Sequence, residues 1–196
     1  MKVLFICGSP RKNGNTAAII KQVATGLAES CEAEICHITD YQVNGCKGCN
    51  VCQNNLEEPG CVQRDQAAEL LNKIIAADAV IYATPLYGHS YSGQLKLLMD
   101  RHVALFKFVC GSEKAVDEME ILSFVKDKPV ALIVSCQGPE EHNTELIQMQ
   151  FDKFCESSLA RCVGKYIFPW CAPDVSGNFS EDTLNRIVQD IRALHP

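Results

Sequence analysis

What this sequence lacks narrows its identity first. No apolar run approaches the ~20 residues that a helix needs to cross a bilayer. The opening residues lead straight into a strand pattern, without the basic and apolar regions of a secretory signal, so the expected location is the cytoplasm. Basic residues are in short supply, 18 against 24 acidic for a net charge of −6, which argues against a chain whose business is neutralising nucleic-acid phosphates. Glycine and proline number only 12 and 8, so collagen-like and low-complexity classes are set aside. Apolar types make up 47% and charged types 21%, values of an ordinary globular chain rather than a disordered one. At 196 residues the expectation is a single domain with a core large enough to need no cross-links.

Cysteine is the exception to this scarcity, with 12. In a chain without an export signal these are reduced thiols or metal ligands rather than staples.

The patterning alternates. Lys2 to Cys7 is a short apolar run ended by Gly8-Ser9-Pro10, as expected of a strand buried on both faces. Thr16 to Leu27 then spaces Ile19, Ile20, Val23, Ala24 and Leu27 along one helical face. Further strands are expected at Glu34–Ile38, Ala79–Ala83, Val130–Ser135 and Gly164–Phe168. Further helices are expected after Asp65, over Gly93–Phe106, around Ile147 to Cys155, and after Ser180, which can cap a helix carrying Glu181 and Asp182 in its first turn. Five strands alternating with five helices imply an α/β fold, a doubly wound parallel sheet with helices on both faces. Ligands in such sheets bind at the carboxyl ends of the strands, which directs attention to the loops after Cys7, Ala83 and Ser135. Residues 41–62 and 107–128 are too long for simple connections and read as insertions.

Gly8-Ser9-Pro10-Arg11-Lys12-Asn13-Gly14-Asn15-Thr16 joins the first strand to the first helix. Free backbone N–H groups, the helix dipole, hydroxyls and one arginine suit a phosphate there; a well-capped polar turn is the plainer alternative. A Walker loop is excluded because Asn15 stands where its lysine belongs, and the dinucleotide fingerprint because its three glycines are missing. A phosphatase loop would need arginine at Asn13, so Cys7 reads as a buried strand residue.

With G-S-P-R-x-N-G-N-T, the run Ala83-Thr84-Pro85-Leu86-Tyr87-Gly88, and Leu95-Lys96 followed by Asp100-Arg101, the first 140 residues resemble the NADPH-dependent FMN reductase and iron–sulfur flavoprotein group of flavodoxin-like proteins. The resemblance implies that Ser9, Arg11, Asn13, Asn15 and Thr16 hold the FMN phosphate. It implies that Pro85, Leu86, Tyr87 and Gly88, entered through Thr84, lie against the flavin ring, and that Ser135, Cys136, Gln137 and Gly138 form a third flavin loop. It also implies NAD(P)H as donor and a homodimer or homotetramer.

Cys46, Cys49, Cys52 and Cys61 are spaced C-x2-C-x2-C-x8-C. Intervals of two let thiolates converge, as in the ferredoxin pattern for a [4Fe–4S] cluster; zinc, and free thiols or a reversible disulfide, are the other readings. Iron–sulfur flavoproteins usually have a shorter last interval than the eight residues here. The remaining cysteines read as small buried residues (Cys7, Cys36, Cys155) or show no ligand spacing (Cys31, Cys110, Cys136, Cys162, Cys171), with Cys136 set apart by its flavin loop. His102 reads as a packed histidine, His89 as a candidate substrate contact or an exposed loop residue, and Trp170 as a core cap or cofactor cover.

The expected function is therefore an FMN-dependent oxidoreductase that takes hydride from NAD(P)H and passes electrons to a flavin, quinone or protein, with no side-chain acid or base required. The alternatives are an electron carrier without a substrate of its own and a zinc-bearing interaction module.

Overall fold

The computed structural model describes residues 1–109, 120–172 and 179–194. Seven strands are present among them: β1 (Lys2–Cys7), β2 (Glu32–His37), β3 (Ala79–Pro85), β4 (Phe106–Val109), β5 (Glu120–Ser123), β6 (Pro129–Ser135) and β7 (Arg161–Phe168). Five form one sheet in the order β2-β1-β3-β6-β7, every neighbouring pair parallel. The alternating pattern thus yields the expected α/β fold, with the 2-1-3-4-5 order of flavodoxin-like sheets.

Strand periodicity sorts the core into two halves. Leu4 and Ile6 of β1, Val80 and Tyr82 of β3, and Leu132 and Val134 of β6 pack on one face with α2 (Ala67–Ala76), α3 (Gly93–Arg101) and α4 (Glu145–Ser158). Val3, Phe5, Ile81, Ala83, Ala131 and Ile133 pack on the other with α1 (Asn15–Leu27) and α5 (Glu181–Arg192). Near-continuous apolar strands are what a sheet covered on both faces requires. Ser180 caps α5 as expected, its Oγ accepting from the Thr183 N–H at 3.2 Å.

One helix is shorter than its apolar spacing predicts. α3 stops at Arg101, residues His102–Leu105 form a 3₁₀ turn, and Phe106 opens β4 instead of closing the helix. The reason is local. The His102 ring nitrogen Nδ1 lies 2.7 Å from the Leu98 carbonyl, while the His102 backbone N–H turns to Met99, which tightens the chain from α to 3₁₀. The expected excursion over 107–128 begins and ends in an antiparallel hairpin, Phe106 opposite Ser123 and Val109 opposite Glu120. Sequence periodicity misses strands of four residues. Residues 110–119, with Cys110, lie outside the described residues. Among the described residues no helix is long and apolar enough to cross a membrane.

Candidate functional site

β1 pairs with β2 on one side and β3 on the other, so strand order reverses at β1 and the crevice opens at its carboxyl end. Three loops meet there, after Cys7, Pro85 and Ser135, and their register keeps them level: Cys7 lies opposite Ala83, and Pro85 opposite Ser135. The cleft is lined by Ser9, Arg11, Asn15, Thr16, Pro85, Leu86, Tyr87, Ser135, Cys136, Gln137 and Cys171.

The loops are tied to one another. Ser92, the N-cap of α3, accepts from the Leu95 N–H with the same Oγ that donates to the Gly8 carbonyl at 2.5 Å, and its own N–H donates to Thr84 Oγ1 at 3.0 Å. One serine therefore binds the first loop to the second. Thr16 Oγ1 and Ser135 Oγ lie 2.7 Å apart and bind the first to the third. Gly8 must be glycine because a Cβ there would meet the Leu95 Cβ at 2.5 Å. Gly88 and His89 both have positive φ, and Tyr87 and Ser90 exchange backbone hydrogen bonds across them, the geometry of a primed hairpin turn. That turn presents the half-exposed Tyr87 ring at the cleft mouth.

The N-terminus of α1 is shaped for an anion. Its cap position is Gly14, no side chain caps it, and no acid stands in its first turn, so first-turn N–H groups and the dipole are free to act on the cleft. Asn15 and Thr16, residue types that often cap helices, are here the first two residues inside α1. Ser9 Oγ accepts from the Arg11 N–H at 3.1 Å and shapes the loop. Asn15 donates from Nδ2 to the Ala172 carbonyl at 2.7 Å, while its buried Oδ1 has no partner among the described residues.

Of the residues singled out beforehand, Asn13 is exposed outside the cleft lining, Thr84 is buried beneath it as the Ser92 anchor, and Gly88 and Gly138 shape turns beside it. Cys171 and Ser92 were missed. Ser92 carried a usable signal, a serine directly before the first helical residue. Cys171 carried none, since it reaches the cleft only because its N–H extends the β6 edge to the Cys136 carbonyl at 2.8 Å. Burial pushes the Cys136 thiol up to about 11 and raises those of Cys171 and Cys7, so none of the three is a ready nucleophile. Trp170 is 70% exposed, which excludes a core cap, and it lies outside the cleft lining beside Pro139, Glu140 and Gln148. His89 Nδ1 is 3.1 Å from the Asn143 carbonyl. His102 is buried between Tyr82, 2.9 Å from Nε2, and Phe154, and burial lowers it to about 4, so it packs as a neutral ring.

A second site lies along the segment before α2. Cys46, Cys49, Cys52 and Cys61 line one pocket together with Gln63 and Arg101. Cys46 and Cys49 are exposed, Cys61 is half-buried and Cys52 buried. Gln66 rather than Asp65 is the N-cap of α2; Asp65, one residue earlier, accepts from the Ala67 N–H, and its main partner is Arg101. The guanidinium makes two bonds to this carboxylate, at 2.8 and 3.1 Å, donates to the Asn44 carbonyl, and places Nη2 3.2 Å from Cys61 Sγ. Both side chains of the pair are 1% exposed. Burial opposes the Asp65 charge, but Arg101 and two backbone N–H groups outweigh it and hold the carboxyl at about 2. Lys107, also buried, donates to the carbonyls of Cys52, Pro59 and Ala104 at 2.6–3.0 Å, and burial lowers its pKa. Among the described residues no three His, Cys, Asp or Glu side chains are arranged around a single ion.

A family model described as NADPH-dependent FMN reductase matches residues 1–168. An iron–sulfur flavoprotein of Methanocaldococcus jannaschii is 41% identical over 102 residues, 52% of this chain and 51% of the relative. One from Methanosarcina thermophila is 38% identical over 106 residues, 54% of each. The chain thus spans about half the length of these curated relatives. Among solved structures, an NAD(P)H:quinone oxidoreductase from Methanothermobacter marburgensis superposes with TM-score 0.68 at 17% identity, covering 100% of this chain and 99% of that one. An azoreductase from Bacillus anthracis gives 0.65 at 14%, covering 99% and 98%. At such identities the superpositions establish the shared fold, and the match across residues 1–168 establishes that the chain belongs to the NADPH-dependent FMN reductase family.

Proposed function

We propose that this protein is an FMN-dependent oxidoreductase that accepts hydride from NAD(P)H and passes electrons to a flavin, quinone or protein acceptor. The observation that carries this reading is the uncapped α1 N-terminus opening into a cleft that three tied loops already shape. Ser9, Arg11 and Thr16 with the first-turn N–H groups hold the phosphate. The buried Asn15 Oδ1 is an acceptor and calls for a hydroxyl donor such as a ribityl group, which a bare phosphate would not supply. Pro85, Leu86 and Tyr87 on one side and Ser135 to Gln137 on the other bracket a flat ring. FMN bound there supplies hydride acceptance and release of electrons one or two at a time. The protein's own residues orient the ring and leave Tyr87 half-exposed at the mouth, where an aromatic acceptor can stack.

We infer that Cys46, Cys49, Cys52 and Cys61 would hold a [4Fe–4S] cluster, one thiolate to each iron; their C-x2-C-x2-C-x8-C spacing, with all four residues lining one pocket, supports this reading. The Gly48 N–H, 3.4 Å from Cys46 Sγ, and Arg101 at Cys61 supply the donors and charge that an anionic cluster needs. Such a cluster makes the electron-carrier reading the second choice. A homodimer or homotetramer is the assembly we expect by family analogy.

The test is FMN rebinding to flavin-free protein, followed by fluorescence quenching. Arg11→Ala with Thr16→Val should weaken binding about 10- to 100-fold, the loss of charged and hydroxyl contacts worth about 1.5–3 kcal/mol. Wild type that binds no FMN sinks the reading. NADPH turnover with an added quinone separates the enzyme from the carrier, which binds flavin but does not turn over.

A further inference from the structure

Arg101 and Lys107 are both buried beside the cysteine segment, but only one of them has a counter-ion. Arg101 is paired with Asp65. Lys107, the second residue of β4, is fully buried, and none of the ion pairs among the described residues includes it. Its charge is nonetheless fixed by geometry: Nζ donates to the carbonyls of Cys52 at 2.6 Å, Pro59 at 2.9 Å and Ala104 at 3.0 Å. Three carbonyl acceptors need three N–H donors, which an ammonium has and a neutral amine lacks. The carbonyl dipoles and the Phe124 ring, 5.5 Å from Nζ, ease the burial of this cation without neutralising it. A buried charge is destabilising unless something nearby supplies the opposite one.

The same three bonds organise the cysteines. Cys52 opens the eight-residue interval and Pro59 stands two residues before Cys61, so one ammonium joins the two ends of the gap. The turn between them is compact: Asn55 Oδ1 accepts from the Glu57 and Glu58 N–H groups at 3.0 and 3.2 Å, and Gly60, at φ 64°, packs so closely that a Cβ would lie 2.8 Å from the Asn55 Cβ. Gln53 anchors the start of the loop to the β4 chain, its Oε1 accepting from the Phe108 N–H at 3.0 Å. Beyond the gap, Arg101 Nη2 meets Cys61 Sγ at 3.2 Å. Cys52, Ala104 and Cys61 all line the cysteine pocket. Lys107 thus stands behind its wall, bonded to the backbone that forms it.

We propose that Lys107 is a positioning residue for the four-cysteine site: it closes the Cys52–Cys61 interval so that Cys61 reaches the other three thiols, and its unpaired charge offsets the negative charge of the group they hold. The proposal rests on the reading of that group as a [4Fe–4S] cluster. A cluster bound by four thiolates is an anion, and one-electron reduction makes it more negative still. A fixed cation behind the pocket therefore stabilises the reduced form more than the oxidised one and raises the potential. Lys107 itself gives and takes neither electron nor proton. The long last interval has, in this lysine, a clamp that brings its far end back.

The test compares Lys107→Met, similar in length and without charge, with Lys107→Arg, which keeps charge and donors. Each protein is purified anaerobically, reconstituted with iron and sulfide, assayed for both, and titrated with dithionite while its absorption and electron paramagnetic resonance are followed; FMN binding is the control for folding. Lys107→Met should bind FMN as wild type does and hold several-fold less iron and sulfide. What it holds should be reduced with an equilibrium constant about tenfold less favourable, about 59 mV for one electron. Lys107→Arg should restore content and potential. Wild type that binds FMN but retains neither iron nor sulfide sinks the cluster reading, and this proposal with it. Wild type that holds a cluster while Lys107→Met matches it in content and potential overturns the proposal alone. Where Lys107→Met holds no cluster to titrate, or fails to bind FMN, Lys107→Arg decides: recovered content with a wild-type potential supports the proposal, and loss in both variants overturns it.

Discussion

The cleft at the sheet edge and the cysteine pocket are built by opposite means. The cleft is a by-product of the sheet: strand ends fixed by a parallel register leave three loops level with one another, and Ser92, Thr16 and Ser135 tie them through short hydroxyl bonds. The cysteine pocket belongs to a segment whose regular structure is one 3₁₀ turn, Val51–Asn54. Long side chains from elsewhere hold it, Arg101 from the end of α3 and Lys107 from β4, while its own Gln53 reaches out to the carbonyls of Val103 and Phe106. A site made from strand ends is in place before any ligand arrives. A site made from loops needs buried charge to hold its shape, and buried charge is costly when its partner is removed.

Breaking the second site should therefore cost more than breaking the first. Arg101→Met leaves Asp65 buried without its partner and should lower unfolding free energy by about 3–5 kcal/mol, measured by urea denaturation, with loss of any iron bound by the anaerobic protein. FMN binding by the fraction still folded should change little, and a large drop would show that the two sites are not independent.

Acid should reach the same weak point. Asp65 sits at about 2 when folded against 3.8 as a free side chain, so its contribution of about 2 kcal/mol is complete above that free value and lost as pH falls towards 2. A denaturation series between pH 5 and pH 2.5 should show wild type losing stability more steeply than Asp65→Asn; parallel slopes would remove Asp65 from the account.

The smallest effect is expected at the cleft. Ser92→Ala removes one cap, worth about 1 kcal/mol, and frees the first two loops from each other. FMN affinity should fall about tenfold or less, and a far larger loss would mean that one hydroxyl, rather than the sheet register, shapes the cleft.

Much of the cleft was legible in the sequence because its determinants are local. Apolar runs ending in Gly8, Pro85 and Ser135 mark strand ends, and topology alone brings parallel strand ends to one edge. The four cysteines were legible by spacing for the same reason. The hairpin of β4 and β5 was not, since four-residue strands carry too little period. The tightening of the chain at His102 was equally hidden, because it depends on a side chain taking a helix carbonyl.

By itself, then, the sequence determined what repeats along the chain: the α/β alternation, the anion-ready first loop, the cysteine triplet and its partner beyond an eight-residue gap. The tertiary structure alone decided what meets through space. Arg101 finds Asp65 across 36 residues, and Lys107 finds the Cys52 carbonyl across 55. Periodicity records which face a residue lies on; a partner is chosen only once crossovers and turns have placed two faces together, and no spacing within one element carries that information.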